Sequence, residues 1–158
     1  MTEISFLADS MLGKLAKWLR ILGYDTAYCR VPLRDAEQLR KARAEGRRVL
    51  TRSTRLARCA GPKPEICIIK ANDPLQQVRE VLSHYHLVIA PRAPMTRCLI
   101  CNRELIPIAP ALLASRVPEY VLATRQLFLT CPGCHRVFWR GTHCRNMEER
   151  IKQHFAEP

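Results

Sequence analysis

The first segment of the chain, residues 4–24, joins a short apolar run to the pattern of an amphipathic helix. The run covers residues 4–8 and stops at an acid, Asp9. Leucine and alanine then recur at three- and four-residue steps until Gly23 ends the pattern. A buried strand that leads directly into a helix is the first half of a βαβ unit. Ligands bind outside the carboxyl ends of parallel strands, so Asp9 is predicted to face a crevice. The alternative is an acid that the helix dipole favours near a helix N-terminus.

The same alternation continues to about residue 90. Further strands are predicted at 24–29, 48–51 and 66–69 from their β-branched and apolar residues. Helices are predicted to start at Asp35, Thr54 and Pro74, with Asp35 and Asp73 as N-terminal caps. This order predicts an α/β fold, in which a parallel sheet carries helices on both faces.

A proline-rich stretch from Pro91 to Pro94 marks the predicted domain boundary. It separates an α/β domain at residues 1–90 from a C-terminal module at residues 95–158. A short amphipathic helix is expected near the end, from Met147 to Phe155.

The C-terminal module contains two Cys-x-x-Cys pairs, which predict a zinc ribbon. The pairs are Cys98 with Cys101 and Cys131 with Cys134. Each pair can present two thiolates from a tight turn, and two such turns complete a tetrahedral structural zinc site. Asn102 and Gly133 are expected to give these turns their backbone freedom. The alternatives are a redox pair or unpaired cysteines, and neither accounts for two pairs. The nearby His143 and Cys144 are interpreted as packing or surface residues.

The charge balance points to an anionic partner. The net charge is +12 and the isoelectric point is near 9.8. Nucleic acid is the first candidate and an anionic membrane surface the second. No apolar stretch is long enough to span a bilayer, and the N-terminus does not resemble a secretion signal. The protein is therefore expected in the cytoplasm. Its eight cysteines are expected to be thiols or metal ligands rather than disulfides.

Two groups of residues are predicted to contact nucleic acid. Four lie off the apolar stripe of the first helix and are expected to flank the crevice that Asp9 faces: Lys14, Lys17, Trp18 and Arg20. Arg52 is one of several further arginines that add positive charge, and it is also predicted to contact nucleic acid. The run from Val137 to Gly141 alternates aromatic and basic character, so Trp139 and Arg140 can stack on bases and hold phosphates. Either Phe138 or Trp139 is expected to fill the core of the ribbon instead.

A second metal site is suggested by the acids. Asp9, Asp35 and Glu37 are candidate catalytic ligands for Mg²⁺ or Mn²⁺, which would support cleavage of phosphodiesters. Another acid would be expected just after the third strand, but the residue at that position is Ser53, which is a poor ligand for Mg²⁺ on its own. Asp73 could compensate, although helix capping explains that residue equally well.

The sequence resembles a known family in several motifs. They are residues 9–20 with 22–26, Leu50-Thr51-Arg52, and Cys131 to Cys134 with residues 139–143. The family is the RNase-like domain named for the C-terminal region of the Mut-seven exonuclease. The resemblance implies a PIN-like three-layer fold with a C-terminal zinc ribbon and an acidic, divalent-metal site at the strand ends. Asp9 and the Asp35/Glu37 region match the family pattern. That pattern usually has an acid after Thr-Arg, where this chain has Ser53.

The expected function is RNA binding, combined with a degenerate acidic site for metal-dependent ribonuclease activity. The alternative is a non-catalytic RNA-binding or ribonucleoprotein adaptor. A third hypothesis is a protein-interaction module whose basic face meets an acidic partner.

Overall fold

A computed structural model of the chain describes residues 4–88 and 96–155. Its first sheet contains four strands, namely β1 (Ser5–Ala8), β2 (Asp25–Tyr28), β3 (Arg48–Thr51) and β4 (Ile66–Ile68). They lie in the order β2-β1-β3-β4, and all neighbours are parallel. The predicted parallel sheet is thus confirmed. The predicted boundary at Pro91–Pro94 lies outside the described residues.

Helices cover both faces of this sheet. They are α1 (Gly13–Ile21), α2 (Asp35–Glu45), α3 (Thr54–Cys59) and α4 (Pro74–His84). Phe6 and Leu7 are neighbours on β1, so their side chains point to opposite faces. Phe6 lies in one core cluster with residues of α1 and α4, and Leu7 lies in another with residues of α2 and α3. Both side chains are fully buried, as is Ala8, which explains why the last three residues of β1 are apolar.

The helix starts show which acids act as caps. Asp73 caps α4, because its Oδ1 accepts the N–H groups of Leu75 at 3.0 Å and Gln76 at 3.1 Å. The prediction that Asp35 caps α2 was wrong, since Asp35 is the first residue inside the helix and Arg34 occupies the cap position. Glu37 closes that turn by accepting the N–H of Arg34 at 3.2 Å.

The C-terminal module consists of a small antiparallel sheet and three helical segments. The strands are β5 (Ile106–Pro107), β6 (Phe128–Thr130) and β7 (Val137–Trp139), in that order. The helices are a 3-10 turn (Pro110–Leu112), α5 (Glu119–Thr124) and α6 (Thr142–Phe155). Its own core comprises Leu113, Val117, Val121 and Phe128. The final helix starts five residues earlier than predicted, and it returns to the α/β core, against which Phe155 packs.

The module joins the edge of the first sheet through Asn102. Its Oδ1 accepts the N–H of Thr26 at 2.9 Å, and its Nδ2 donates to Asp25 Oδ1 at 2.6 Å. Burial favours the neutral form of Asp25, but hydrogen bonds from Arg47 and Asn102 and the charge of Arg47 outweigh it and lower the pKa of this carboxyl. Arg47 reaches Asp25 at 2.6 Å. A backbone donor at the open edge of β2 is thereby paired with a side chain of the C-terminal module.

Arg20 makes a second connection across the same junction. Its Nε donates to Thr26 O at 2.9 Å, and its Nη1 donates to Leu99 O at 2.9 Å and Ile100 O at 3.1 Å. Burial lowers the pKa of Arg20, and the charges of Cys98 and Cys101 oppose that shift. Since one guanidinium joins α1, β2 and the first cysteine turn, the two modules are held in a defined relative position. Within the described residues, no helix is long and apolar enough to cross a membrane.

Candidate metal centre and nucleic-acid interface

The four predicted cysteines come together in one cluster. All four Sγ atoms of Cys98, Cys101, Cys131 and Cys134 lie within 4.8 Å of one another. Cys98 and Cys134 are 3.6 Å apart, and Cys101 and Cys131 are 3.1 Å apart. A tetrahedral zinc with Zn–S bonds of about 2.3 Å needs S–S distances of about 3.8 Å, so small adjustments would admit the ion. Four thiolates would fill its coordination sphere, which leaves no open position for catalysis.

Each cysteine pair lies in a turn that is closed by a residue with positive φ. In the first turn Asn102 has φ 70° and donates its N–H to Cys98 O at 2.9 Å. In the second turn His135 has φ 57° and donates to Cys131 O at 2.9 Å. The sequence analysis found Asn102 but assigned the second role to Gly133. At Gly133 the side chain of Arg103 approaches closely, since a Cβ there would lie 2.7 Å from Arg103 Cδ.

Backbone N–H groups stabilise the thiolate form of one cysteine in the cluster, Cys131. Cys131 Sγ accepts the N–H groups of Gly133 at 3.4 Å and Cys134 at 3.5 Å. Burial acts to raise the pKa of Cys131, but these donors and the Cys101 thiol bring it down to about 6. Burial raises the pKa of Cys98 to about 12. The two backbone donors therefore favour the thiolate form of Cys131.

Asp9 lies where the sequence analysis predicted, after the carboxyl end of β1. The strands on either side of β1 are β2 and β3, and their connecting helices cover opposite faces of the sheet. The gap between β1 and β3 is therefore the topological switch point, where α/β sheets bind ligands. Asp9 Oδ2 accepts Thr51 Oγ1 at 2.6 Å and Arg52 N at 3.2 Å, and Oδ1 accepts Met11 N at 2.9 Å. The carboxylate is only 9% exposed and is held by these donors.

The other two predicted acids do not join Asp9 in a cluster. Asp35 forms an ion pair with Arg55 at 2.9 Å, and Glu37 is used in the turn that opens α2. Among residues 4–88 and 96–155, the four cysteines form the only group in which three or more ligand atoms of His, Cys, Asp or Glu lie close together. The expected cluster of carboxylates is therefore not formed, and these residues do not fit a three-carboxylate Mg²⁺ or Mn²⁺ site.

The residues Thr51 and Ser53 explain part of this arrangement. Ser53 caps α3, since its Oγ accepts the N–H of Leu56 at 3.2 Å. The N–H of Ser53 in turn donates to Thr51 Oγ1 at 3.0 Å, and that hydroxyl binds Asp9. Sequence reasoning missed Thr51 as a partner of Asp9. Thr51 lies at the end of β3, which is next to β1, and Asp9 directly follows β1. The carboxyl ends of neighbouring parallel strands lie close together, so this position could have indicated the contact.

The predicted RNA-binding residues occupy different environments. Lys14 and Lys17 are exposed, as expected. Arg20 lies outside the core cluster of the apolar stripe, but it is only 5% exposed and its donors meet backbone carbonyls, so the prediction that it flanks an open crevice was wrong. Arg52 donates to Ala71 O at 2.7 Å and to Asn72 Oδ1 at 3.0 Å, which ties it to the loop after β4. Trp18 is half-buried against the first core, beneath the guanidinium of Arg150.

The strand β7 divides its two aromatic residues between different surroundings. Trp139 packs against the core of the C-terminal module, whereas Phe138 is not part of that cluster. This confirms that one of the two fills the core of the ribbon. Arg140 is exposed and pairs with Glu148 at 2.8 Å.

A recess with a basic lining lies between α1 and the C-terminal module. We call it the basic groove, and its volume is about 460 Å³. It is lined by Lys17, Leu99, Ile100, Arg116, His135, Arg136, Val137, Phe138 and Trp139. Lys17, Arg116 and Arg136 are exposed in it. The groove thus combines cations from both modules with the aromatic strand β7.

Comparison with known families identifies the class of protein. The family model described as the Mut7-C RNAse domain matches residues 4–151. The chain belongs to this family, which implies a nuclease-like function related to RNA. Searches of curated proteins and of solved structures gave no significant match.

The cysteine cluster predicts zinc in the purified protein. We expect about one zinc per chain, because the four thiolates complete one tetrahedral site. Cys131→Ser should lose the metal and expose the C-terminal module to protease, since metal binding supplies much of the folding free energy of small zinc modules. Elemental analysis and limited proteolysis measure both effects.

Cys59 provides the control, because it is exposed and lies far from the cluster in sequence. Cys59→Ser should retain zinc and resist protease like the natural protein. Full zinc retention by Cys131→Ser would contradict the four-cysteine assignment.

Proposed function

We propose that this protein binds RNA across the basic groove. The single observation that carries the proposal is the groove itself, in which cations of both modules flank an aromatic strand. Phosphates bind lysine and arginine with release of counterions, and bases stack on aromatic rings. The net charge of +12 supports a polyanionic partner, and membership of an RNase family favours RNA among polyanions. A cytoplasmic location stays a prediction.

Lys14, Lys17, Trp139 and Arg140 remain in the proposed RNA-binding set. Lys14 and Lys17 lie on α1, three residues apart, and both are exposed. We remove Arg20 and Arg52 from the set, because their donors are occupied by oxygen atoms of the protein. Arg140 also pairs with Glu148, but it stays in the set because its side chain is 60% exposed. Trp18 stays in the set as a residue that anchors α1, because its side chain packs on the first core cluster.

We further propose that the acidic site at Asp9 is degenerate. A divalent ion, when bound, would activate water and stabilise the leaving oxygen. Asp9 is the only predicted acid whose carboxylate is held at the switch point, and Mg²⁺ needs several firm oxygen ligands. The natural sequence should therefore cleave RNA slowly or not at all, and better with Mn²⁺ than with Mg²⁺.

A non-catalytic RNA-binding adaptor is the second candidate function. The observation in its favour is that Asp35 and Glu37 already have partners, namely Arg55 and the N–H of Arg34. An ion would have to displace both contacts to gather these carboxylates.

The first experiment tests RNA binding through α1. Replacing both Lys14 and Lys17 by Glu should weaken binding of single-stranded RNA by more than about tenfold at low salt, because two phosphate contacts become repulsive. The slope of log K against log salt should also become shallower. Filter binding or fluorescence anisotropy over a salt series measures both.

Lys41 and Lys63 give a control with the same change of charge. Lys41 lies on α2, and Arg43 of that helix donates to Lys63 O, so both lysines are near the opposite face of the sheet. Replacing this pair by Glu should reduce affinity only slightly. An equal loss in both double variants would show that the effect is net charge and would remove α1 from the RNA-binding face.

The second experiment tests the degenerate site through Ser53. Asp is as good an N-terminal cap as Ser, so Ser53→Asp should preserve α3. It adds a carboxylate two residues after Thr51, whose hydroxyl binds Asp9. If the site is otherwise intact, Mn²⁺-dependent cleavage of RNA should rise by at least about tenfold, since metal-ligand carboxylates control binding of the ion. Initial rates with labelled RNA at saturating metal measure the change.

Two controls decide between an enzyme and an adaptor. Ser53→Asn keeps the cap without the charge and should not raise cleavage, and Asp9→Asn added to Ser53→Asp should abolish it. Cleavage that survives Asp9→Asn would place the chemistry elsewhere. RNA binding without any cleavage by Ser53→Asp would favour the adaptor.

A further inference from the structure

An apolar pocket lies beside the basic groove and has no part in the zinc or acidic sites. Its volume is about 310 Å³, and it lies between the end of α1, the first cysteine turn, β7 and the start of α6. Its walls include Ile21, Leu99, Val137, Phe138, Trp139 and Met147. Two charged residues, Arg97 and Glu148, also line it, and they form ion pairs with Glu104 and Arg140. Thr142 and His143, which are exposed, lie at its rim.

The pocket and the basic groove meet at a shared wall. Leu99, Val137, Phe138 and Trp139 line both recesses. Cations therefore lie on one side of this wall and an aromatic cavity lies on the other. A ligand that occupies both recesses must carry negative charge and an apolar, planar group close to each other.

We propose that the apolar pocket receives one unstacked base of a single-stranded RNA whose phosphates lie in the basic groove. This proposal rests on the RNA-binding function proposed above and adds to it a place for one base. Charge complementarity selects a polyanion for the groove, and the aromatic wall selects a ring with a π-face. Purely apolar ligands would leave the adjoining cations unused, and duplex RNA would keep its bases stacked.

Phe138 is the side chain that should contribute most to base binding. It lines both recesses, whereas Trp139 is also needed in the core of the C-terminal module. Removing the Phe138 ring should therefore change the pocket and leave the module folded. Lys17, Arg116 and Arg136 are unaffected by that change, so binding of the phosphates should persist.

A chain of abasic ribose phosphates tests this separation. We compare a fully abasic oligoribonucleotide with one of equal length that carries a single adenine. The adenine should raise the affinity of the natural protein by about five- to 150-fold, the range that base–aromatic stacking gives per base. In Phe138→Ala and Phe138→Leu this gain should disappear, while affinity for the fully abasic chain and its salt dependence stay the same.

Two further variants make the comparison specific. Tyr120→Ala removes an aromatic ring that is 71% exposed on the same module and outside both recesses, so the adenine gain should remain. Met147→Trp fills the pocket and leaves Phe138 in place, so the gain should be lost. This variant also keeps the test valid if Phe138→Ala does not fold.

Free adenosine distinguishes failure of the pocket from failure of RNA binding. NMR titration with adenosine should shift the ring signals of Phe138 and the indole N–H of Trp139, and Met147→Trp should abolish these shifts. Abasic chains that bind without any gain from adenine, together with no shift by adenosine, would overturn the pocket and leave RNA binding intact. Adenosine shifts in a protein that ignores RNA would support the pocket and overturn the RNA-binding function.

Discussion

The hydrogen bonds between Asn102 and the edge of β2 connect the first cysteine turn directly to the parallel sheet. Asn102 is the residue directly after the first cysteine pair, and its left-handed backbone closes that turn. The same residue uses both atoms of its amide on Thr26 and Asp25. One side chain therefore connects the cysteine cluster to the sheet, and Arg20 makes a second connection. Arg97 adds a third, because its Nε donates to Gly23 O at 3.2 Å.

This junction explains why the proposed RNA-binding face can span both modules. Lys17 comes from α1, whereas Arg116, Arg136 and Phe138 come from the C-terminal module. A groove lined by separate modules keeps its shape only if the modules cannot move independently. Zinc would add to this rigidity, because it holds together the turn that contains Asn102 and the turn that leads into β7.

The region around Asp9 keeps the framework of the predicted acidic site without the carboxylate expected after Thr51 and Arg52. Asp9 retains the position at the switch point and is held by Thr51 and Arg52. Ser53 keeps the cap of α3, so the local backbone is preserved although a carboxylate is missing there. Fold and ligand set are therefore separable at this site, and a family resemblance alone does not establish catalysis.

Much of the fold could be predicted from the sequence because its signals are local. Apolar runs, the Asp73 cap and the cysteine spacing each depend on a few neighbouring residues. Arg20 could not be placed in this way, since its burial depends on Leu99 and Ile100, which are far along the chain. The failure of Asp35 and Glu37 to join Asp9 likewise depends on Arg55 and on the geometry of the α2 turn. Such long-range contacts leave no pattern in the sequence near the residue itself.

Hydrogen exchange at the Thr26 amide tests the junction most directly. This N–H donates to Asn102 rather than to a neighbouring strand, and Thr26 is fully buried. In the zinc-loaded protein it should exchange as slowly as the Val49 amide, which donates to Glu65 O within the sheet. Asn102→Gly keeps the left-handed turn accessible and should speed exchange at Thr26 by about tenfold or more, with Val49 unchanged. Rapid exchange at Thr26 in the natural protein would contradict the account.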